Sequence, residues 1–233
     1  MHSLCSSRSG AHALRSLRRP FAALVLTLLA ACAPTKFETQ SDIPQPLIEK
    51  IPIVIGVHMP LEFTSKVYEE KREAGGGEYS IGLGKAQSAG FMRVLNAMFN
   101  RVVPVASPQD GAATDPEIRG VLQPVLEDYA FVTPGDSGTQ SYAASLRYTI
   151  RLYSPQGELA ESWTFTGYGS QPASQFPGKG AEALAMATRL AMRDAGAKLA
   201  AEFHEQAIAR GLLPSARPVA PRELELPPPP PRN

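Results

Sequence analysis

The chain has 233 residues, 23 basic and 22 acidic side chains, four histidines and two cysteines, a size for one ordinary domain with tails. Residues 1–31 hold four arginines and no acid, so the remainder carries 19 basic and 22 acidic side chains and a net charge of −3. A balance of that sign gives no electrostatic footing for nucleic acid. Two cysteines, Cys5 and Cys32, supply neither a disulfide framework nor a cysteine-rich zinc site.

The first element is a leader. Arg8, Arg15, Arg18 and Arg19 precede Phe21–Ala31, an uncharged apolar run. A transmembrane helix needs about 20 apolar residues, so this run has the length of a signal-peptide core instead. Small residues Ala30 and Ala31 then stand before Cys32. Leu29-Ala30-Ala31-Cys32 resembles the bacterial lipobox, the cleavage and acylation motif of lipoproteins. The resemblance implies that residues 1–31 are removed and that Cys32 is lipidated. It also implies an outer-membrane location on the periplasmic face, since Ala33 is not the aspartate that retains lipoproteins in the inner membrane. Two or three acyl chains, at about 0.8 kcal/mol per buried methylene, give a lasting anchor.

Residues 33–48 are polar and proline-bearing and read as a flexible tether. Ile51–Met59 is rich in β-branched residues and predicts a buried strand. Residues 66–77 are charged and end in glycines, so a loop is expected. Glu78–Leu83 follows as a short strand. Phe91, Leu95, Met98, Phe99 and Val102 share one face of a helix spanning about 85–102. A strand over Ile118–Val132 contains Pro124, which demands a bulge or an edge position.

The clearest alternation lies in 143–169. Leu146, Tyr148, Ile150 and Leu152 interleave with polar residues, Ser154-Pro155-Gln156-Gly157 reverses the chain, and Leu159, Trp163 and Phe165 resume the pattern. A second helix runs from about Gly180 to Arg210, with Thr188, Met192, Ala195, Leu199 and Phe203 inward and Gly211 as its stop. Residues 213–233 are proline-rich and predict an extended, solvated tail, with a docking or spacer role as the functional alternative. The globular part is therefore 49–212. Its order, β-β-α-β-β-β-α, predicts an α+β two-layer sandwich, with two amphipathic helices on one face of a mainly antiparallel sheet.

Little in this pattern speaks for catalysis. His58 and His204 have no metal-binding spacing around them. Gly82-Leu83-Gly84-Lys85 has glycines before a helix, but Ala86 and Gln87 stand where phosphate and dinucleotide loops need other residues. No Gly-x-Ser-x-Gly elbow occurs. No metal or cofactor is expected. Tyr148, Tyr153, Trp163, Phe165 and Tyr168 supply either core or an exposed binding strip.

A tethered α+β domain after a lipobox is similar to several small outer-membrane accessory lipoproteins. These include the plug of lipopolysaccharide transport, the auxiliaries of ABC exporters, and the lipoproteins that activate cell-wall synthases or assemble secretion pores. The likeness implies a non-enzymatic envelope protein that binds a partner protein or envelope polymer. The alternatives are an activator of a peptidoglycan synthase and a hydrolase without a recognisable motif.

Overall fold

A computed structural model describes residues 34–40, 46, 49–73 and 77–209. The expected leader 1–31, Cys32 and the tail 213–233 lie outside these residues, as does half of the expected tether.

The hairpin read most clearly in the sequence is the frame of the fold. Strands β7 (Ser141–Tyr153) and β8 (Leu159–Pro172) pair antiparallel along their whole length. Strand β6 (Ile118–Val132) pairs antiparallel with the other side of β7. On its far side β6 meets β2 (Ile51–Val57), and β2 in turn meets β5 (Phe99–Pro104). Both of these pairings are parallel. The five-stranded sheet, in order β5-β2-β6-β7-β8, is thus mixed rather than mainly antiparallel. The reason lies in the long crossover between β2 and β5, which returns the chain in the same direction. It also explains the unbroken apolar run of β2. Ile55 and Val57 join the main core, while Val54 joins a second cluster with Val105, Ile118 and Val121 on the opposite face.

Pro124 obeys its constraint by position. The β2 ladder stops at Leu122, whose carbonyl accepts the His58 N–H, so Pro124 faces a side that β2 has already left. A register shift follows between Leu126 and Asp128.

One face of this sheet carries the second layer. Helix α1 (Gly84–Met98) and helix α2 (Gly180–Ala209) lie on it. All five residues of the anticipated α2 stripe, Thr188, Met192, Ala195, Leu199 and Phe203, are buried. Helix α1 ends four residues sooner than its apolar stripe suggests. Phe99 and Val102 belong to β5, where Phe99 is still fully buried, so the stripe ran across a helix-to-strand junction.

Two strands arise where none is expected. Thr35–Glu38, within the stretch read as tether, forms β1, and Val67–Lys71, within the charged loop, forms β3. With β4 (Glu78–Gly82) they make a three-stranded sheet in the order β1-β4-β3. Backbone pairing anchors these short polar strands: β1 runs parallel to β4 from Thr35 opposite Tyr79 to Glu38 opposite Gly82. The tether is correspondingly shorter than the sequence suggests.

The small sheet packs beside α2, over the far half of β6. Tyr68 of β3 meets Tyr129 and Phe131 edge-on at ring-centroid distances of 4.8 and 6.2 Å, and Tyr79 of β4 meets Phe131 at 4.8 Å. The Arg72 guanidinium stacks over Phe131 at 4.2 Å. It also pairs with Glu70 and Asp136, which ties the β3–β4 turn to the β6–β7 turn. Burial by itself would raise the Glu70 and Asp136 carboxyls. Hydrogen bonds outweigh it, from Tyr68 and Arg72 at Glu70 and from Thr133 and Arg72 at Asp136, so both titrate below their ordinary range.

Candidate binding surfaces

The five aromatics singled out by sequence separate into different environments. Tyr148 and Phe165 are buried, at 1% and 5% exposure, facing the helices. The Tyr148 hydroxyl donates to Gln87 Oε1 at 3.2 Å, and Gln87 Nε2 donates to the Phe63 carbonyl at 2.6 Å. This buried chain satisfies its polar groups, and burial keeps the Tyr148 phenol protonated far above its usual range. Trp163 is half-buried against Phe203, with ring centroids 5.6 Å apart, and its indole N–H is enclosed without an acceptor. Tyr153 borders the second cluster and donates to Gln123 Oε1 at 2.9 Å. Tyr168 is 64% exposed on the outer face of the sheet.

Helix α2 lies so close to β8 that side chains are excluded between them. A Cβ on Gly167 would collide with the Ala191 carbonyl oxygen, and one on Gly169 with that of Ala187. These glycines are held under the helix. The helix also covers the outer edge of β8. The Tyr168 N–H donates to Asp194 Oδ2 at 2.9 Å, and Lys198 Nζ donates to the Thr166 carbonyl at 2.6 Å.

The remaining sequence candidates are structural. Gly84 presses against the backbone of Thr64 and Lys66, with no room for a side chain, and its N–H bonds the Lys66 carbonyl. The turn that faintly suggested a phosphate loop is therefore filled by the protein's own chain. His58 Nδ1 lies 3.4 Å from the Val105 carbonyl at the end of β2. The side chain of His204, near the end of α2, lies outside the described residues. Among the described residues no three His, Cys, Asp or Glu side chains converge as metal ligands do.

Two concave surfaces with apolar walls bear on binding. The larger is an open groove of about 940 Å³ between β1 and the first half of α2. Phe37, Phe176, Ala185 and Met186 give it apolar walls, and Lys36, Glu38 and Arg189 bring charges of both signs. Sequence reasoning missed it because one wall is β1, hidden in the expected tether. The smaller is a shallow depression of about 390 Å³ on the outer face of the sheet, where Ala130, Val132 and Ala143 lie beside Tyr168. The Lys198 ammonium sits 5.1 Å from the Tyr168 ring centroid. Apolar walls with a few charges suit an extended peptide or an amphiphile.

No helix among the described residues is long and apolar enough to cross a membrane. No family model matches the chain, and no curated protein matches it in sequence. Solved structures do. A Chlamydia trachomatis hypothetical protein aligns over 68% of this chain and 99% of its own at 10% identity and a TM-score of 0.42. A minor lipoprotein from Acinetobacter baumannii aligns over 74% and 100% at 14% identity and a TM-score of 0.38. Neither reaches the similarity at which a common fold can be argued. A Xanthomonas campestris protein of the DUF330 family aligns over 76% of this chain and 99% of its own, at 12% identity and a TM-score of 0.51. At that level the chain shares the fold of the Xanthomonas protein.

Proposed function

We propose that this chain is a lipid-anchored accessory protein of the bacterial cell envelope, on the periplasmic face of the outer membrane. It acts by binding a partner protein or envelope polymer and catalyses no reaction. The observation that carries the reading is Leu29-Ala30-Ala31-Cys32 closing the eleven-residue apolar run Phe21–Ala31, directly upstream of the folded domain. Binding is supported by the groove between β1 and α2, of about 940 Å³, with apolar walls and mixed charge. The shifted titrations have causes inside the fold. Those of Glu70, Asp136, Asp115 and Asp194 arise from ion pairs and hydrogen bonds within the fold, and those of Tyr129 and Tyr148 from core burial.

Metabolic labelling with a fatty-acid probe tests the anchor. Wild type takes up label and Cys32→Ser does not; equal label on both would remove the reading. A photo-crosslinking residue at Ala185, inside the groove, tests binding in intact cells. Adducts to an envelope component are expected there and not from Glu158 in the β7–β8 turn. The same adducts from both positions would detach function from the groove.

A further inference from the structure

We infer that one defined end of the domain rests against the lipid headgroup layer. That end is formed by the start of β1, the adjoining ends of β3 and β4, and the β6–β7 turn. The inference depends on the acylation proposed for Cys32. A sixteen-residue tether would leave the domain free to turn and to reach tens of ångströms from the bilayer. Strand β1 removes that freedom. Thr35 is already paired with β4, opposite Tyr79, so only Ala33 and Pro34 separate Cys32 from folded backbone. Three residue steps span at most about 10 Å.

The direction of β1 selects the end. Because β1 and β4 run parallel, Thr35 lies where β4 begins, level with Glu70 near the end of β3. Pro34 lines the same surface as Glu70, Lys71 and Glu78. Arg72 bonds to Asp136 in the β6–β7 turn, which places that turn at this end too. The β7–β8 turn, Ser154–Glu158, lies at the other end of the thirteen-residue β7, about 40 Å away at the usual rise of a strand. The near end carries charges of both signs, including Lys36, Lys71, Glu70, Glu78 and Asp136. The length of the chain therefore sets the orientation, and attraction to anionic lipid does not. One consequence concerns the groove: with β1 as a wall, it opens beside the membrane, so its occupant arrives along the bilayer surface.

The mature chain has no thiol besides Cys32, so an engineered cysteine reports a single place. Gln140→Cys marks the near turn and Glu158→Cys the far one; both positions are exposed. Each full-length acylated protein is extracted from bacterial membranes, labelled with a fluorophore and reconstituted in phosphatidylcholine vesicles containing a headgroup-nitroxide lipid. Several-fold stronger quenching is expected at position 140 than at 158, unchanged when part of the lipid is replaced by phosphatidylglycerol. Insertion of about 12 Gly/Ser residues between Pro34 and Thr35 adds a flexible span of about 20 Å and should erase the difference. Equal quenching at the two positions without the insertion, or stronger quenching at 158, overturns the inference. Protein that fails to float with the vesicles and carries no fatty-acid label at Cys32 instead overturns the acylation reading beneath it.

Discussion

Helix α2 and the small sheet sit side by side on one face of the large sheet, yet they are seated by opposite means. Under α2 the contact is nearly bare backbone: Gly167 and Gly169 of β8 lie against the turns of Ala187, Ala191 and Ala195. Under the small sheet the contact is made of rings, Tyr68 and Tyr79 against Tyr129 and Phe131, with Arg72 laid across them. The two seats meet at Thr188 of α2, whose hydroxyl is 2.7 Å from that of Tyr129. The first seat has no slack, so any added atom is resisted. The second has large side chains that can shift, so it is sensitive to what is removed.

The largest effect is expected from adding atoms to the bare seam. Gly167→Val must push the helix off the strand, since backbone atoms cannot rotate aside as side chains do. The loss should exceed the about 1–3 kcal/mol usual for overpacking. In a domain of about 5–15 kcal/mol total stability, chemical denaturation should then show a much earlier or absent cooperative transition. A wild-type midpoint would mean that the seam is looser than described. Next comes Phe131→Ala, which removes the ring shared by Tyr68, Tyr79 and Arg72 and should cost about 3–5 kcal/mol in the same experiment.

Arg72→Met should cost less, about 1–2 kcal/mol at neutral pH, and its effect should depend on pH. Glu70 and Asp136 titrate below their ordinary values in the folded protein. Their contribution is therefore complete above the unfolded carboxylate range, about pH 4, and is lost as pH falls through the lowered folded values. Thermal melts of wild type and variant should converge on acidification. A constant gap between pH 7 and pH 3 would show that Arg72 acts through packing alone. Tyr168→Ala, on the open face, should change stability by no more than about 0.5 kcal/mol. A larger loss would show that the ring and Lys198 contribute to the fold.

The bare seam was largely legible in the sequence and the ring seam was not. Helix α2 and the β7–β8 hairpin declare themselves through long, regular periodicities, and both are local. Alanines recur at 183, 187, 191 and 195 on the buried side of α2, yet nothing in the sequence joins them to Gly167 and Gly169. Strand β3, Val-Tyr-Glu-Glu-Lys, is too charged to read as a strand because it lies at the edge of a small sheet. Strand β1 has four residues and is defined by a partner more than 40 positions away, so no window around it carries the signal. The parallel pairing of β2 is hidden for the same reason: its partners β5 and β6 lie far along the chain. The groove, walled by β1, was invisible with it. Tyr148 and Tyr168 have equal aromatic character, and only their places on opposite faces of one hairpin separate core from surface.

The chain order of α2 sets a condition on how the molecule is made. Its thirty residues are the last described element, yet they cover Leu146, Tyr148 and Phe165 and close the edge of β8. A chain emerging from its N-terminal end, from a ribosome or through an export channel, presents the apolar hairpin well before its cover arrives. Strand β1 can find β4 early, but the wall facing it across the groove follows all eight strands in the chain. Folding is consequently completed from the side of α2, and the nascent strands need shielding until that helix has emerged.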